Sequence, residues 1–244
     1  MSTKDPHPVY GETWVYESIV GALPGINLPT WAAVAIQLFV FEVGIVALSW
    51  YYDVWPAAIA GTAVVIVASI GSVEMLRIST LVRRIDVPET YQALLFSSNV
   101  EVVLSVLAYI AMLTHLFVFD PQTSAAPIVT DLFGEDPPVL VVYLMLLILW
   151  DVSYRIGTGW WASVTGLWRS ARFRFDPETA RVFQRADLET LGFGILQLVL
   201  VPFVLNYPVL LAALLAHVTA VTVVTGLSVL LLRVRSRTAG ATPS

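Results

Sequence analysis

Cysteine is absent from the 244-residue chain, and lysine occurs once, as Lys4. The first absence excludes disulfides, thiolate metal sites and cysteine nucleophiles, and leaves the redox compartment unread. The second leaves twelve arginines as almost the whole basic complement, against eighteen acids. Charge of any sign is scarce: 13% of residues are charged and 57% hydrophobic, about half the charged share of an ordinary soluble domain. A chain so composed needs lipid as part of its solvent. Also missing are a paired Asp-rich diphosphate motif, His-Glu-x-x-His, Gly-x-Ser-x-Gly and Gly-x-x-x-x-Gly-Lys. No catalytic residue, cofactor or metal site is therefore read from the sequence, which weakens the case for an enzyme. Residues 1–5 lack a basic stretch followed by an apolar run, so no cleaved signal peptide is expected.

Long apolar runs are what the chain does have. A helix needs about 20 mainly apolar residues to cross roughly 30 Å of hydrocarbon, because each backbone polar group must be satisfied within the segment. Six stretches qualify: Pro29–Tyr51, Trp55–Ile78, Leu94–Phe119, Pro138–Trp161, Asp187–Leu205 and Pro208–Leu232. The fourth either continues to Trp168 or breaks at Gly157-Thr158-Gly159-Trp160-Trp161. The expected fold is an all-α polytopic bundle of about six spans over residues 29–233. A leader over residues 1–28 precedes it, and a disordered cytoplasmic tail over 234–244 follows. In the leader, Trp14, Val15, Ile19 and Leu23 share a face, which predicts an interfacial helix ending at Pro24-Gly25.

Arginine orients the bundle. Arg83 and Arg84, then Arg169, Arg172, Arg174, Arg181 and Arg185, then Arg233, Arg235 and Arg237 fall in three segments that six spans place on one side. The opposite loops carry Asp53, Asp120, Asp131, Glu135 and Asp136 and nothing basic. The positive-inside rule puts both termini in the cytoplasm and the protein in the cell membrane. The arginines are read as setting topology, so the expected partners are the bilayer and a second copy or another membrane protein, with no nucleic acid. Small-residue runs such as Ala57–Ala63 permit the close helix approach that packing or a homo-oligomer would use.

Two cytoplasmic segments are alike: Arg83-Arg84-Ile85-Asp86-Val87-Pro88-Glu89-Thr90 and Arg172-Phe173-Arg174-Phe175-Asp176-Pro177-Glu178-Thr179. They are consistent with a weak parallel repeat of spans two and three in spans four and five. They are equally consistent with two helices that start alike, since Asp, Pro and Glu are what a helix start prefers.

Ionisable groups at membrane depth are costly and normally face the protein interior with a partner or a cavity. Those positions are Glu42 in span one, Glu74 and Arg77 in span two, Glu101 at the start of span three, and Asp151 and Arg155 in span four. Asp187 and Glu189 open span five. Asp151 with Arg155, and Glu74 with Arg77, can pair within one helix. Glu42 and Glu101 lack a sequence-local partner, and either could complete a cluster with Arg155. The set reads as a pathway for a proton or cation, and equally as buried ion pairs that fix helix packing. A scaffold subunit and a lipid-modifying enzyme are the alternative functions. His115 and His217, in the outer parts of their spans, are read as hydrogen-bonded helix contacts rather than ligands.

The run Asp151-Val-Ser-Tyr-Arg155-Ile-Gly157-Thr-Gly159 resembles the retinal-bearing last helix of microbial rhodopsins, Asp-Val-Ser-x-Lys-Val-Gly-x-Gly. Arg155 occupies the position of the Schiff-base lysine, and a guanidinium cannot form the imine, so no pigment is implied. Over its full length the chain resembles uncharacterised integral membrane proteins of halophilic archaea, a family of unknown function, in its lysine-poor composition and six-span layout. That resemblance implies no activity.

Overall fold

The computed structural model describes residues 29–239. The interfacial helix expected before residue 24 and the last residues of the tail lie outside that range. Every regular element among the described residues is helical, and six helical stretches are long and apolar enough to cross a membrane. The first two are α1 (Thr30–Tyr52) and α2 (Trp55–Arg83). Asp53, in the left-handed region at φ 57°, turns the chain between them, and its amide closes on the Ser49 carbonyl.

The third crossing is broken. α3 (Glu89–Phe96) and α4 (Val100–Thr114) meet at Asn99, at φ 54°, a conformation in which asparagine is enriched. The carbonyl of Leu94, one of those the break leaves without its helical amide, accepts from the Ser98 hydroxyl (2.7 Å) and the Trp161 indole N–H (2.6 Å). At the far end α4 passes through a π-helical turn, His115–Phe119, into α5 (Asp120–Thr123). Pro121 accounts for the turn, because its missing N–H cannot close the regular bond to the Phe117 carbonyl. The short α6 (Ile128–Phe133) lies on this side, tied down by the Ile128 amide bonding to buried Asp120 and by the Tyr207 hydroxyl bonding to Asp131.

The fourth crossing is α7 (Val139–Arg172), unbroken over 34 residues. It passes straight through the Gly157–Trp161 stretch and ends well beyond Trp161, because Gly157 is buried at a helix contact rather than freed for a turn. Gly157 has no room for a Cβ: one built there would sit 2.6 Å from the Ser105 amide nitrogen on α4. α8 (Pro177–Leu196) starts ten residues before the expected Asp187, capped by Asp176, which accepts from the amides of Glu178 and Thr179. Pro202 then denies Leu198 its helical partner, and the chain tightens into a 3-10 turn, Gln197–Leu200, before α9 (Val201–Val204). α10 (Pro208–Ala239) completes the bundle. It continues past residue 234, where a disordered tail is expected, because Arg235 reaches across to the carbonyls of Ser170, Ala171 and Phe173 at the end of α7.

α7 is the centre of the arrangement and packs on α1, α2, α4, α8 and α10. Two apolar cores flank its polar middle. One, toward the arginine-bearing loops, gathers Met75, Val82, Tyr91, Leu95, Phe183 and Leu232, and the other, toward the acidic loops, gathers Ile45, Ala58, Val65 and Ile148.

Candidate functional site

The polar groups of the bundle collect at three levels. At the middle, Arg155 is 1% exposed and its Nη2 lies 3.0 Å from the Asp151 carboxylate one turn earlier on α7. The Arg155 Nε donates to the Ser72 hydroxyl of α2 at 2.9 Å. Gln37 of α1 donates to Asp151 at 2.5 Å and accepts from Ser72 at 3.5 Å. The four side chains form a closed ring across three helices, with the guanidinium and carboxylate neutralising each other. That pairing is what lets both ions lie at this depth.

One level out, toward the acidic loops, Thr62 of α2 donates to the Glu42 carboxylate of α1 at 2.9 Å. The second Glu42 oxygen is buried without a hydrogen-bond partner. Ser69, on the same face of α2 as Thr62 and two turns further in, has a buried hydroxyl oxygen that is also without one. One level in, toward the arginine loops, Arg77 contacts Glu189 of α8 at 2.5 Å and Glu74 at 3.9 Å, so that one guanidinium draws both carboxylates to it. A void of about 10 Å³ between Arg155, Thr158, Thr190 and Glu74 separates this pair from the central ring. It has room for about one water molecule.

A separate cluster lies beyond, where α7 nears its end. Arg169 is fully buried and its Nη2 lies 2.9 and 2.8 Å from the two Asp187 oxygens, with Nη1 donating to the Tyr91 hydroxyl at 3.1 Å. Ser228 of α10 donates to Asp187 at 2.7 Å, and the guanidinium lies 4.0 Å from the Phe183 ring centre. Gly166 makes the approach fit, since a Cβ there would stand 3.0 Å from the Asp187 carboxylate. Four helices, α3, α7, α8 and α10, thus meet on one ion pair.

Glu101 stands apart. It is fully buried in the first turn of α4, and neither carboxylate oxygen has a hydrogen-bond partner among the described residues. The N-terminal turn of a helix favours negative charge. Among the described residues no group of three or more His, Asp or Glu side chains is placed to hold a metal ion.

A family model described as a family of unknown function (DUF7530) matches residues 9–228. The chain belongs to that family. No curated protein and no solved structure matches it. A family without an assigned activity, on six helices able to cross a membrane, describes a multi-pass membrane protein and leaves its chemistry to be read from the side chains.

Of the residues singled out in the sequence, Asp151 and Arg155 come together. Glu42 and Glu101 do not join them: Glu42 is held by Thr62 of α2, more than a turn along α1 from Gln37, and the place expected for it beside Asp151 is taken by Gln37. Glu74 and Arg77 meet, and Arg77 lies closer to Glu189 than to Glu74. Three contributors were passed over in the sequence: Gln37, Ser72 and Arg169. Gln37 and Ser72 are uncharged, and nothing in their spacing sets them apart from other polar residues of a membrane helix. Arg169 reads as one more loop arginine, and only the extension of α7 past Trp161 brings it inside. His115 and His217 contact Phe119 and Trp160 by their rings rather than through hydrogen bonds.

Proposed function

We propose that the protein conducts protons across the cell membrane along α2, with its arginine-bearing loops in the cytoplasm. The observation that carries the reading is the succession of polar levels on that helix. Taking 1.5 Å per residue from Trp55, Thr62 with Glu42 lies about 10 Å in, Ser69 about 21 Å, Ser72 with the Arg155–Asp151–Gln37 ring about 25 Å, and Glu74 with Glu189 about 28 Å. From Ser69 inward each gap is about 3–5 Å along the axis, short enough for a hydroxyl or one water to bridge, whereas the step of about 10 Å from Thr62 to Ser69 requires a file of about three waters.

A proton suits such a ladder better than a hydrated cation. An ion needs a lined pore or a ring of oxygens to replace its water, whereas a proton needs only a chain of groups that donate and accept. The void beside Arg155 has room for about one water, and the ladder has acids at both ends: Glu42 faces the acidic loops, and Glu74 with Glu189 faces the arginine loops. In this reading Asp151 is the acid through which the middle is crossed, with Gln37 and Arg155 holding its carboxylate in place. The lysine-poor composition fits a host in which acidic surfaces are favoured, that of a halophile.

The test is proton flux into proteoliposomes under a pH gradient with the membrane potential clamped. Wild type is expected to carry flux, and Glu42→Gln and Asp151→Asn to reduce it by about 100-fold, the scale of a lost proton relay. Absence of wild-type flux under either gradient direction, or full flux in both variants, overturns the proposal. A scaffold subunit is the second reading, favoured by the internal pairing of Asp151 with Arg155. It is the outcome the flux assay would leave standing if every variant carried no current and the chain co-purified with a fixed partner.

A further inference from the structure

In the half of the bundle toward the acidic loops, α1, α2, α4, α7 and α10 surround a cleft of about 1170 Å³. That exceeds the roughly 300–1,000 Å³ of pockets for drug-sized ligands and suits a long chain. Its lining is overwhelmingly aliphatic and aromatic, including Ala108, Met112, Ile148 and Trp160, and holds no Asp, Glu, Lys or Arg. A charged headgroup would enter it without a counter-charge, at a cost no local group offsets.

Two polar atoms at the cleft are buried without hydrogen-bond partners: Gln197 Oε1 and His217 Nε2. Gln197 is 2% exposed. Their elements place them at one level of the bundle. Gly194 of α8 abuts Val221 of α10, and these helices run antiparallel, so one turn nearer the acidic loops Gln197 faces the level of His217. The 3-10 turn imposed by Pro202 begins at Gln197. An amide oxygen only accepts, whereas an imidazole nitrogen accepts or donates according to tautomer. A single hydroxyl serves both.

We propose that this cleft binds a neutral long-chain lipid bearing a hydroxyl group, its chain against α4 and α7 and its hydroxyl donated to Gln197 Oε1 at the level of His217. A lipid of this kind matches the size, the missing charge and the two unpartnered atoms together. A phospholipid matches only the size.

The experiment uses the full chain in nanodiscs and measures displacement of tritiated oleyl alcohol by oleyl alcohol, oleyl methyl ether and octadecene. Wild type is expected to bind saturably and to prefer the alcohol over the ether by about 10-fold, the worth of a hydrogen bond whose loss strands a buried acceptor. Gln197→Met, close to isosteric, is expected to erase that preference while leaving the ether's affinity unchanged, which shows that the cleft itself is intact. Ala108→Phe, which fills the cleft from α4, is expected to abolish binding of all three. Non-saturable uptake, equal affinity for alcohol and ether in wild type, or a preference that survives Gln197→Met overturns the proposal. The last two outcomes are those expected if water alone satisfies Gln197.

Discussion

Arg169 illustrates what a buried charge costs once it is left alone. Its guanidinium holds both oxygens of Asp187, and Tyr91 and Phe183 close over it. Replacing it with methionine leaves Asp187 in the interior with the Ser228 hydroxyl as its remaining support. Such a loss is worth about 3–5 kcal/mol, and removing both ions together is far milder. Arg169→Met is therefore expected to lower unfolding stability by about that amount, measured by denaturant titration in mixed micelles, and Arg169→Met with Asp187→Leu to recover most of it. A double variant as unstable as the single one would contradict a role in ion pairing. At this scale the sequence was only partly readable. Asp151 and Arg155 announce themselves four residues apart on one helix, whereas Arg169 and Asp187 meet across a turn between helices, and no spacing rule pairs them. Tyr207 differs again, because its position between spans leaves it partly desolvated and bonded to Asp131, and both effects push its hydroxyl above the usual tyrosine range.

Helix boundaries obey local chemistry that is visible in the sequence. Asp176 caps α8 with its side chain, and its hydrogen bonds from Thr179 and the following amides hold its carboxyl below the ordinary 3.8. A depressed folded value means the cap stabilises the folded state at neutral pH and is lost as pH falls through that value. Protection of the Glu178 and Thr179 amides against hydrogen exchange is expected to drop on acidification in wild type. In Asp176→Asn, which keeps an accepting oxygen without the charge, it should change little. The paired stretch at Asp86-Val87-Pro88-Glu89 looks the same on paper, yet α3 starts after Pro88 with no side-chain cap and stops eight residues later. What separates the two helices is Ser97-Ser98-Asn99, which lets α3 end, and its counterpart in α8 has no such interruption. The prolines at 121 and 202 show the converse, where one residue known from the sequence sets the local turn.

For the molecule as a whole, six crossings followed from length and hydropathy, because lipid tolerates so few other structures. Which helices touch did not follow, since an apolar helix face carries little information about its partner when its surroundings are equally apolar. Polar side chains settle it: Gln37, Ser72, Arg155 and Asp151 join α1, α2 and α7 in a single register. The absence of cysteine makes the arrangement directly testable. Single substitutions Glu135→Cys, in an acidic loop, and Arg174→Cys, in an arginine loop, are expected to react with an impermeant maleimide from opposite faces of intact cells, the first without permeabilisation and the second only after it. Labelling of both from one face would exclude the alternating arrangement.

The length of α7 has a further consequence. At 34 residues it extends about 51 Å, against roughly 30 Å of hydrocarbon, so even a tilted helix carries its last turns clear of the acyl chains. Arg169 lies about 45 Å along it, measured from Val139. The dryness around that arginine is therefore supplied by protein rather than by lipid: rings from α3 and α8 and the serine of α10 form a small soluble-style core standing on top of the membrane domain. Changes in bilayer thickness or composition would reach the central ring at Arg155 and leave the Arg169 pair as it is, so the two ionic centres of one helix answer to different solvents.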